Sequence, residues 1–542
     1  MKYGLCVVMI LLFLGGPCAD AASAKRPNVV YIMADDLGIG DVKCYGRERC
    51  RIDTPNIDRL AAQGLRFTDA HTAAAHCIPT RLAVMTGRYP WRFRPPHPSG
   101  PWAFLNPRIS ASRLTLGKMM HAVGYRTGYV GKWHLGTLMP TRDGRNQNPK
   151  NVDYTKPLKI GPPQYGFDHS FILPGSLDMY PYVFIRNNRF VGQVTAQKGW
   201  SAFHRVGPAA ENFEDYKTLD AITREAVEFI NRQSETAHKG RPFFLYFALT
   251  APHTPICPSA KFVGKSKLGL YGDFVMEMDD CIGRVLKSLR RHNLTRDTLV
   301  LATSDNGAAS YAGNVRKATP GNIHRLEKLG HYSSGIYRGY KFSAYEGGTR
   351  VPLIIRWPGV VSPDSQCDRL VGLVDVMRTL ADVCSGTLPD AAAPDSVSFA
   401  PLLHDPNGPS TRTSLIMQST RNFVVRLGDW KLILCPGSGA SGHWGNRPAA
   451  AVAWKQALKL FGHRPTRNDL RRAPFVQLFN LNNDVREAVN LAASHPDVVE
   501  RLHVLLDERV QNGRSTPGKQ LRNDVERVNY YSGIPRFVLS TR

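Results

Sequence analysis

Short apolar runs that each break off into a polar cluster constrain the fold of this chain more than any other feature. Residues 28–33 lead into Asp35-Asp36, and residues 126–130 into Gly131-Lys132-Trp133-His134-Leu135-Gly136. Residues 243–249 lead into Thr250-Ala251-Pro252-His253-Thr254-Pro255, and residues 298–303 into Asp305-Asn306-Gly307. Amphipathic stretches separate these runs, which is the pattern of a parallel sheet covered by helices. Further strands are expected at 65–70 and 351–357. Helices are expected from Thr54-Pro55 to Gln63 and over 79–86, 114–123, 219–232 and 273–290, with Gly64, Gly87 and Gly124 as stops. The fold class is therefore α/β, a large mixed, mostly parallel sheet flanked by helices. Ligands in such sheets gather at the carboxyl ends of the strands, so the polar clusters are expected along one edge.

After about residue 405 the texture changes. Residues 414–418, 422–427, 430–435 and 476–480 read as short strands, the middle two joined through Gly428-Asp429, and 495–511 reads as an amphipathic helix. The expected division is a leader at 1–24, a main domain at 25–405 and a smaller antiparallel sheet with one helix at 406–542. Residues 91–109, 136–166 and 308–341 read as loops, and loops this long inside a compact domain are usually functional or mobile.

The polar clusters carry chemistry. Adjacent residues on a strand face opposite ways, so Asp35 and Asp36 can reach one ion only where the strand ends and the chain turns. With Asp305 and Asn306 they form an oxygen-only set that suits a hard cation, calcium or magnesium. Each pair alone is also a common turn sequence. In Cys77-Ile78-Pro79-Thr80-Arg81 a thiol stands one helical turn before a guanidinium. The helix N-terminus and that cation are expected to lower its pKa, whereas a lone cysteine is by default a small buried residue. Lys132 and His134 add an ammonium and an imidazole. His253 lies between two prolines that restrict the backbone, and Lys341 precedes Glu346-Gly347-Gly348-Thr349-Arg350-Val351-Pro352.

In this order the motifs resemble those of type I sulfatases, of the arylsulfatase A and N-acetylgalactosamine-6-sulfatase branch. Cys77 to Arg81 matches the pattern C-x-P-S/T-R, with Thr80 where most members have serine, and the similarity continues through Gly428-Asp429-Trp430-Lys431 and Leu478-Phe479-Asn480-Leu481. The resemblance implies an alkaline-phosphatase-like fold and hydrolysis of sulfate esters, on an aryl group or a sulfated carbohydrate. It implies that a formylglycine-generating enzyme oxidises Cys77 to formylglycine (3-oxoalanine), whose hydrated aldehyde is the nucleophile. It also implies one calcium ion held by Asp35, Asp36, Asp305 and Asn306 and touching residue 77. Arg81 and Lys132 would stabilise the hydrate. Lys132, His253 and Lys341 would bind sulfate, and Lys341 or His253 would protonate the leaving oxygen. One hydroxyl of the hydrate attacks sulfur to give a sulfo-enzyme; the second, deprotonated with help from His134, collapses to the aldehyde and expels sulfate. Two rivals stand beside this reading: a phosphate or phosphonate monoester hydrolase of the same fold, and a sulfated-glycan-binding protein with Cys77 unconverted.

The formal net charge of +26 draws polyanions to the surface. Nucleic acid is a common partner of basic chains, but no nucleic-acid motif occurs, and the N-terminus reads as an export leader. Met1-Lys2, an apolar run over 5–14 and a small-residue site at Ala19-Asp20-Ala21 or Ala22-Ser23-Ala24 form a signal peptide. That run is too short to span a bilayer, and no later one is long enough. A periplasmic, extracellular or lumenal location without stable membrane insertion is expected. A sulfated polysaccharide fits both charge and address, with Arg464, Arg467, Arg471 and Arg472 as a docking cluster away from the motifs. Of ten cysteines, Cys6 and Cys18 lie in the leader; Cys44 with Cys50, and Cys367 with Cys384, are expected as local disulfides. For the sugar itself, Ser176-Leu177-Asp178-Met179-Tyr180-Pro181-Tyr182 and Trp102 offer aromatic faces and a carboxylate.

Overall fold

The computed structural model describes residues 26–94, 100–200, 205–313, 322–440 and 447–538. The expected leader lies outside the described residues. At the centre is a 10-stranded sheet. Its middle strand, Asn28–Asp35, is buried along its whole length and pairs in parallel with Phe243–Pro252 on one side and Thr298–Ser304 on the other. Arg126–Lys132 and then His169–Leu173 continue the parallel set. Beyond Thr298–Ser304 the strand Leu353–Arg356 runs antiparallel, followed by Leu65–Phe67 and Ser365–Cys367. The mixed, mostly parallel sheet expected from the sequence is the one that forms.

Register decides where the chemistry lands. Ala34 lies opposite Ser304, Asp35 opposite Pro252, and Ala248 opposite Gly131. The parallel strands therefore stop together, and the residues just past each end share one edge. Side chains alternate across the middle strand. Val30 and Ile32 join one apolar core under the helices Thr218–His238 and Leu270–Arg291. Val29, Tyr31 and Met33 join the other, under Leu116–Ala122 and Val376–Val383. Burial on both faces is why these strands read as continuous apolar runs.

Three local expectations need correction. The run 65–70 splits, because Ala70–His71 leaves the main sheet to pair with Val371–Gly372. Thr54 does not cap the helix Pro55–Ala62 with its side chain. Its hydroxyl accepts from the Lys43 amide, and Asp279 of the helix Leu270–Arg291 takes the free amides of Asn56 and Ile57 at 3.0 and 2.8 Å. Neither expected disulfide forms, for Cys44, Cys50, Cys367 and Cys384 all keep free thiols. The Cys50 thiol faces the Ile52 carbonyl, Cys367 is held in an edge strand beside Phe67, and Cys384 closes the helix Val376–Val383. Separate elements thus fix the thiols of each pair.

Toward the C-terminus the strands Ser414–Gln418, Phe423–Leu427, Trp430–Ile433 and Gln477–Asn480 form a four-stranded antiparallel sheet in chain order. Pro496–Gln511 covers it. A further helix, Arg447–Phe461, was not expected. The apolar core of this sheet includes Ala83 of the helix Cys77–Thr86, whose Leu82, Val84 and Met85 belong to the main core. The helix bearing Cys77 is therefore clamped between the two sheets. Among the described residues, no helix is long and apolar enough to cross a membrane.

Candidate active site

Asp35 is the last residue of the middle strand, and Asp36 holds φ at +63°. That left-handed residue turns the chain, so both carboxylates face one centre instead of opposite sides of the sheet. Asp35 Oδ2 accepts from Lys132 Nζ at 2.7 Å, and Asp36 Oδ1 and Oδ2 lie 2.6 and 2.8 Å from Lys341 Nζ. Asp305, just past its own strand, accepts the Asp36 amide at 3.1 Å and is gripped by Arg81 through Nε at 2.9 Å and Nη2 at 2.7 Å. Asn306 Nδ2 donates to Asp36 Oδ1 at 2.7 Å.

Cys77 opens its helix, with Sγ 3.6 Å from Asp35 Oδ1 and 3.9 Å from Asp36 Oδ1. The Thr80 hydroxyl donates to the Ala74 carbonyl at 2.9 Å, tying the first turn to the segment that precedes it. His253 Nε2 faces Asp36 Oδ2 at 3.7 Å, while its Nδ1, 2.6 Å from the Thr254 carbonyl, is the nitrogen placed to carry the proton. His134 has φ +54°, and its Nδ1 is buried without a hydrogen-bond partner among the described residues. All ten residues singled out from the sequence are buried, and contacts or mutual charge effects link them in one cluster.

The electrostatics correct one expectation. Burial raises the Cys77 thiol, and it outweighs the pull of Lys132 and Lys341, so residue 77 as cysteine stays a neutral thiol. Sequence reasoning credits the helix end and the arginine, but Arg81 is spent on Asp305. Burial is the largest influence on Asp35 and Asp36 and opposes their charge, yet the nearby cations together outweigh it, Lys132 with His253 and Arg81 at Asp35 and Lys341 with His253 and Lys132 at Asp36, and hold both carboxyls below their usual range. Burial and the Lys132 and Arg81 cations push His134 well below an ordinary histidine, leaving a neutral imidazole. Asp35, Asp36 and Asp305 are thus matched by Lys132, Lys341 and Arg81.

Sequence reasoning placed Ser176 in the segment offered for the sugar and gave it no part beside Lys132 and His253. The Ser176 hydroxyl accepts from Lys132 Nζ at 3.0 Å and lies 3.4 Å from His253 Nε2, at the heart of the cluster. A signal existed: Ser170-Phe171-Ile172-Leu173 is one more apolar run ending in a polar turn. Conversely, Glu346 and Arg350 do not join Cys77. They meet Lys431, Glu487, Asp69 and Arg426 in a second buried charge network, where Glu346 pairs with Lys431 at 2.8 Å and Arg350 at 2.7 Å.

Comparison with known proteins agrees with this geometry. The family model described as Sulfatase matches residues 27–387. An N-acetylgalactosamine-6-O-sulfatase of Bacteroides thetaiotaomicron is 33% identical over 531 residues, covering 90% of this chain and 94% of the relative. Human arylsulfatase A is 30% identical over 503 residues, covering 90% and 88%. A solved structure from work on glycosaminoglycan metabolism by Bacteroides thetaiotaomicron superposes with a TM-score of 0.73 at 31% identity, covering 90% of this chain and 99% of that one. A phosphonate monoester hydrolase from Silicibacter pomeroyi, 18% identical with a TM-score of 0.55 over 90% of this chain and 96% of that one, shares the fold alone. The chain belongs to the sulfatase family and is a sulfuric ester hydrolase.

The residues present fit the hard cation that the family implies. Asp35, Asp36, Asp305 and Asn306 offer oxygen ligands from two strand ends. The Asn306 Nδ2 points at Asp36, and the Asn306 Oδ1 is buried with no hydrogen-bond partner among the described residues. The two amide atoms are nearly equivalent in shape, so a flip would present oxygen where the carboxylates converge.

Proposed function

We propose that this chain is an exported, formylglycine-dependent sulfatase of sulfated carbohydrates, with residue 77 as nucleophile and one calcium ion on Asp35, Asp36, Asp305 and Asn306. The observation that carries this reading is the placement of Cys77 Sγ against two carboxylates that are themselves tied to Lys132 and Lys341. Formylglycine supplies a hydrate with one oxygen to attack sulfur and a second to release the sulfate, and calcium supplies Lewis acidity toward a sulfate oxygen.

The chain's own residues do the rest. Lys132 and Lys341 present fixed ammonium groups to the non-bridging oxygens, whose charge would otherwise repel a nucleophile. Arg81 braces Asp305, and Ser176 holds Lys132 and His253 in one orientation. Neutral His134 has Nδ1 free to take a proton from residue 77. Lys341 or His253 hands a proton to the leaving oxygen. The +26 net charge and the likeness to a relative named N-acetylgalactosamine-6-O-sulfatase support this substrate class. Residues 1–24 direct export, 25–405 form the catalytic domain and 406–542 the smaller subdomain. The formylglycine-generating enzyme is the partner during maturation.

Two measurements test the reading. Mass spectrometry of the residue-77 peptide from the native host is expected to show the aldehyde or its hydrate. Rates are then compared on 4-nitrophenyl sulfate, 4-nitrophenyl phosphate and a panel of sulfated monosaccharides that includes N-acetylgalactosamine 6-sulfate. Sulfate turnover that disappears on chelation and returns with calcium supports the proposal. An intact thiol at full activity, or phosphate cleaved faster than sulfate, overturns it.

A further inference from the structure

Next to the sulfate-binding groups the loop after His169–Leu173 carries a carboxylate that the chemistry above does not use. Asp178 lies two residues beyond Ser176, and its side chain is 3% exposed. One oxygen, Oδ2, pairs with Arg205 Nη1 at 2.5 Å. The other, Oδ1, is buried and has no hydrogen-bond partner among the described residues. A buried carboxylate oxygen left unpaired is costly, and native proteins retain such groups where a ligand completes them.

The surroundings hold this carboxylate still. The Arg205 guanidinium lies 3.7 Å over the ring of Trp102. Trp102 is itself 37% exposed and holds φ at +54°, a conformation that costs energy for any residue but glycine and clusters at functional sites. The Ala103 amide binds the Tyr180 carbonyl, and the Tyr182 hydroxyl binds the Arg205 carbonyl at 2.8 Å. Met179 closes a turn back onto the Ser176 carbonyl at 2.9 Å. The platform is therefore fastened to the residue that touches Lys132 and His253.

We propose that Asp178, clamped by Arg205 on Trp102, is the specificity-determining residue that reads the sugar, its Oδ1 accepting a hydrogen bond from a hydroxyl of the ring that bears the sulfate. The inference rests on the sulfatase reading above and deepens it. An ionised carboxylate only accepts, and Arg205 already supplies its counter-charge. The missing partner is thus a neutral O–H donor of a kind that a saccharide has and a simple aryl sulfate lacks. A site built to bond a substrate hydroxyl discriminates strongly against an analogue without it, because the buried group is then left unpaired.

Asp178→Asn, nearly isosteric, and Asp178→Ala are purified with residue-77 conversion and melting temperature recorded. For each, kcat/KM is measured on 4-nitrophenyl sulfate, on the sulfated sugar that the unmodified enzyme cleaves fastest in the panel, and on the deoxy analogue of that sugar. The ratio of sugar to aryl kcat/KM is expected to fall about ten- to a hundredfold, and the preference for the sugar over its deoxy analogue is expected to shrink by a similar factor in Asp178→Asn. A ratio within about twofold of the unmodified enzyme in both variants, or equal losses on both substrates in a variant that melts normally, overturns the assignment. An unmodified enzyme that cleaves aryl sulfate but no sugar sinks this proposal and leaves the sulfatase chemistry standing. One that cleaves no sulfate ester at all sinks the sulfatase reading itself.

Discussion

Asp36 does with one backbone angle what its side chain needs, and Cys77 depends on the result. Because the Asp36 turn faces two carboxylates toward Sγ, residue 77 is buried beside both of them, and that burial holds it as a neutral thiol. Serine at this position could accept a sulfuryl group but has no second oxygen on the same carbon with which to expel it. Cys77→Ser is therefore expected to lose turnover of 4-nitrophenyl sulfate by at least about a thousandfold, and its intact mass after incubation should report a sulfated side chain. Sustained multiple turnover would contradict the scheme. Asp35, Asp36, Lys132, His134, His253, Asp305 and Asn306 could be singled out because each sits in a short motif after an apolar run, while Cys77, Arg81 and Lys341 stood out by motif alone. The part of Ser176 was not legible, since its meaning lies in contacts to Lys132 and His253, residues 44 and 77 positions away. The Cys77 pKa was misjudged for a related reason: burial is a property of the whole packing, while a helix end and a nearby arginine can be read locally.

At the scale of elements the same division holds. The parallel strands were readable from composition because burial on both faces makes them uniformly apolar, as in Phe243–Pro252. The Thr54 cap was misread because its replacement, Asp279, arrives from a helix more than two hundred residues away. The helix Pro496–Gln511 carries a testable consequence. His503 is buried in it, neither ring nitrogen has a partner among the described residues, and burial together with Arg471 lowers its pKa to about 4. Unfolded, the ring protonates near the ordinary value of about 6.5. The unfolded chain thus binds a proton that the folded one refuses, so this group's contribution is full above pH 6.5 and is lost as pH falls toward 4. Chemical denaturation of the unmodified protein and of His503→Leu, at pH 7 and pH 5, should show the variant gaining about 2 kcal/mol on its parent at the lower pH. Parallel losses in both proteins would place the acid sensitivity elsewhere.

Across the whole molecule, two buried charge networks do different work. One surrounds Cys77; the other joins Glu346 of the main part to Lys431 and Glu487 of the smaller sheet, with Lys431 fully buried between the two carboxylates at 2.8 and 2.7 Å. Removing the shared cation leaves the buried Glu487 without its counter-charge, while Glu346 keeps Arg350 at 2.7 Å, so Lys431→Met is expected to cost about 3–5 kcal/mol. The loss should appear as a lower melting temperature and earlier proteolytic cleavage, with residue 77 still converted in the folded fraction. An unchanged melting temperature would mean that the two sheets are held by their shared apolar core alone. Surface charge acts at longer range. Of the expected docking cluster, Arg471 is partly spent on Asp507 at 3.3 Å, and with Arg472 it lines a cleft of about 650 Å³ that also holds Glu500. Polyanion capture therefore falls to the +26 net charge as a whole more than to any one arginine. A field of that kind is screened within about 10 Å at 0.1 M salt, whereas Lys132 and Lys341 are buried and screened far less. Raising salt from about 50 to about 300 mM should thus lower kcat/KM for a sulfated polysaccharide several-fold while hardly moving that for 4-nitrophenyl sulfate. Equal salt slopes on both substrates would show that the basic surface takes no part in capture, leaving selection of the polymer to the platform around Asp178.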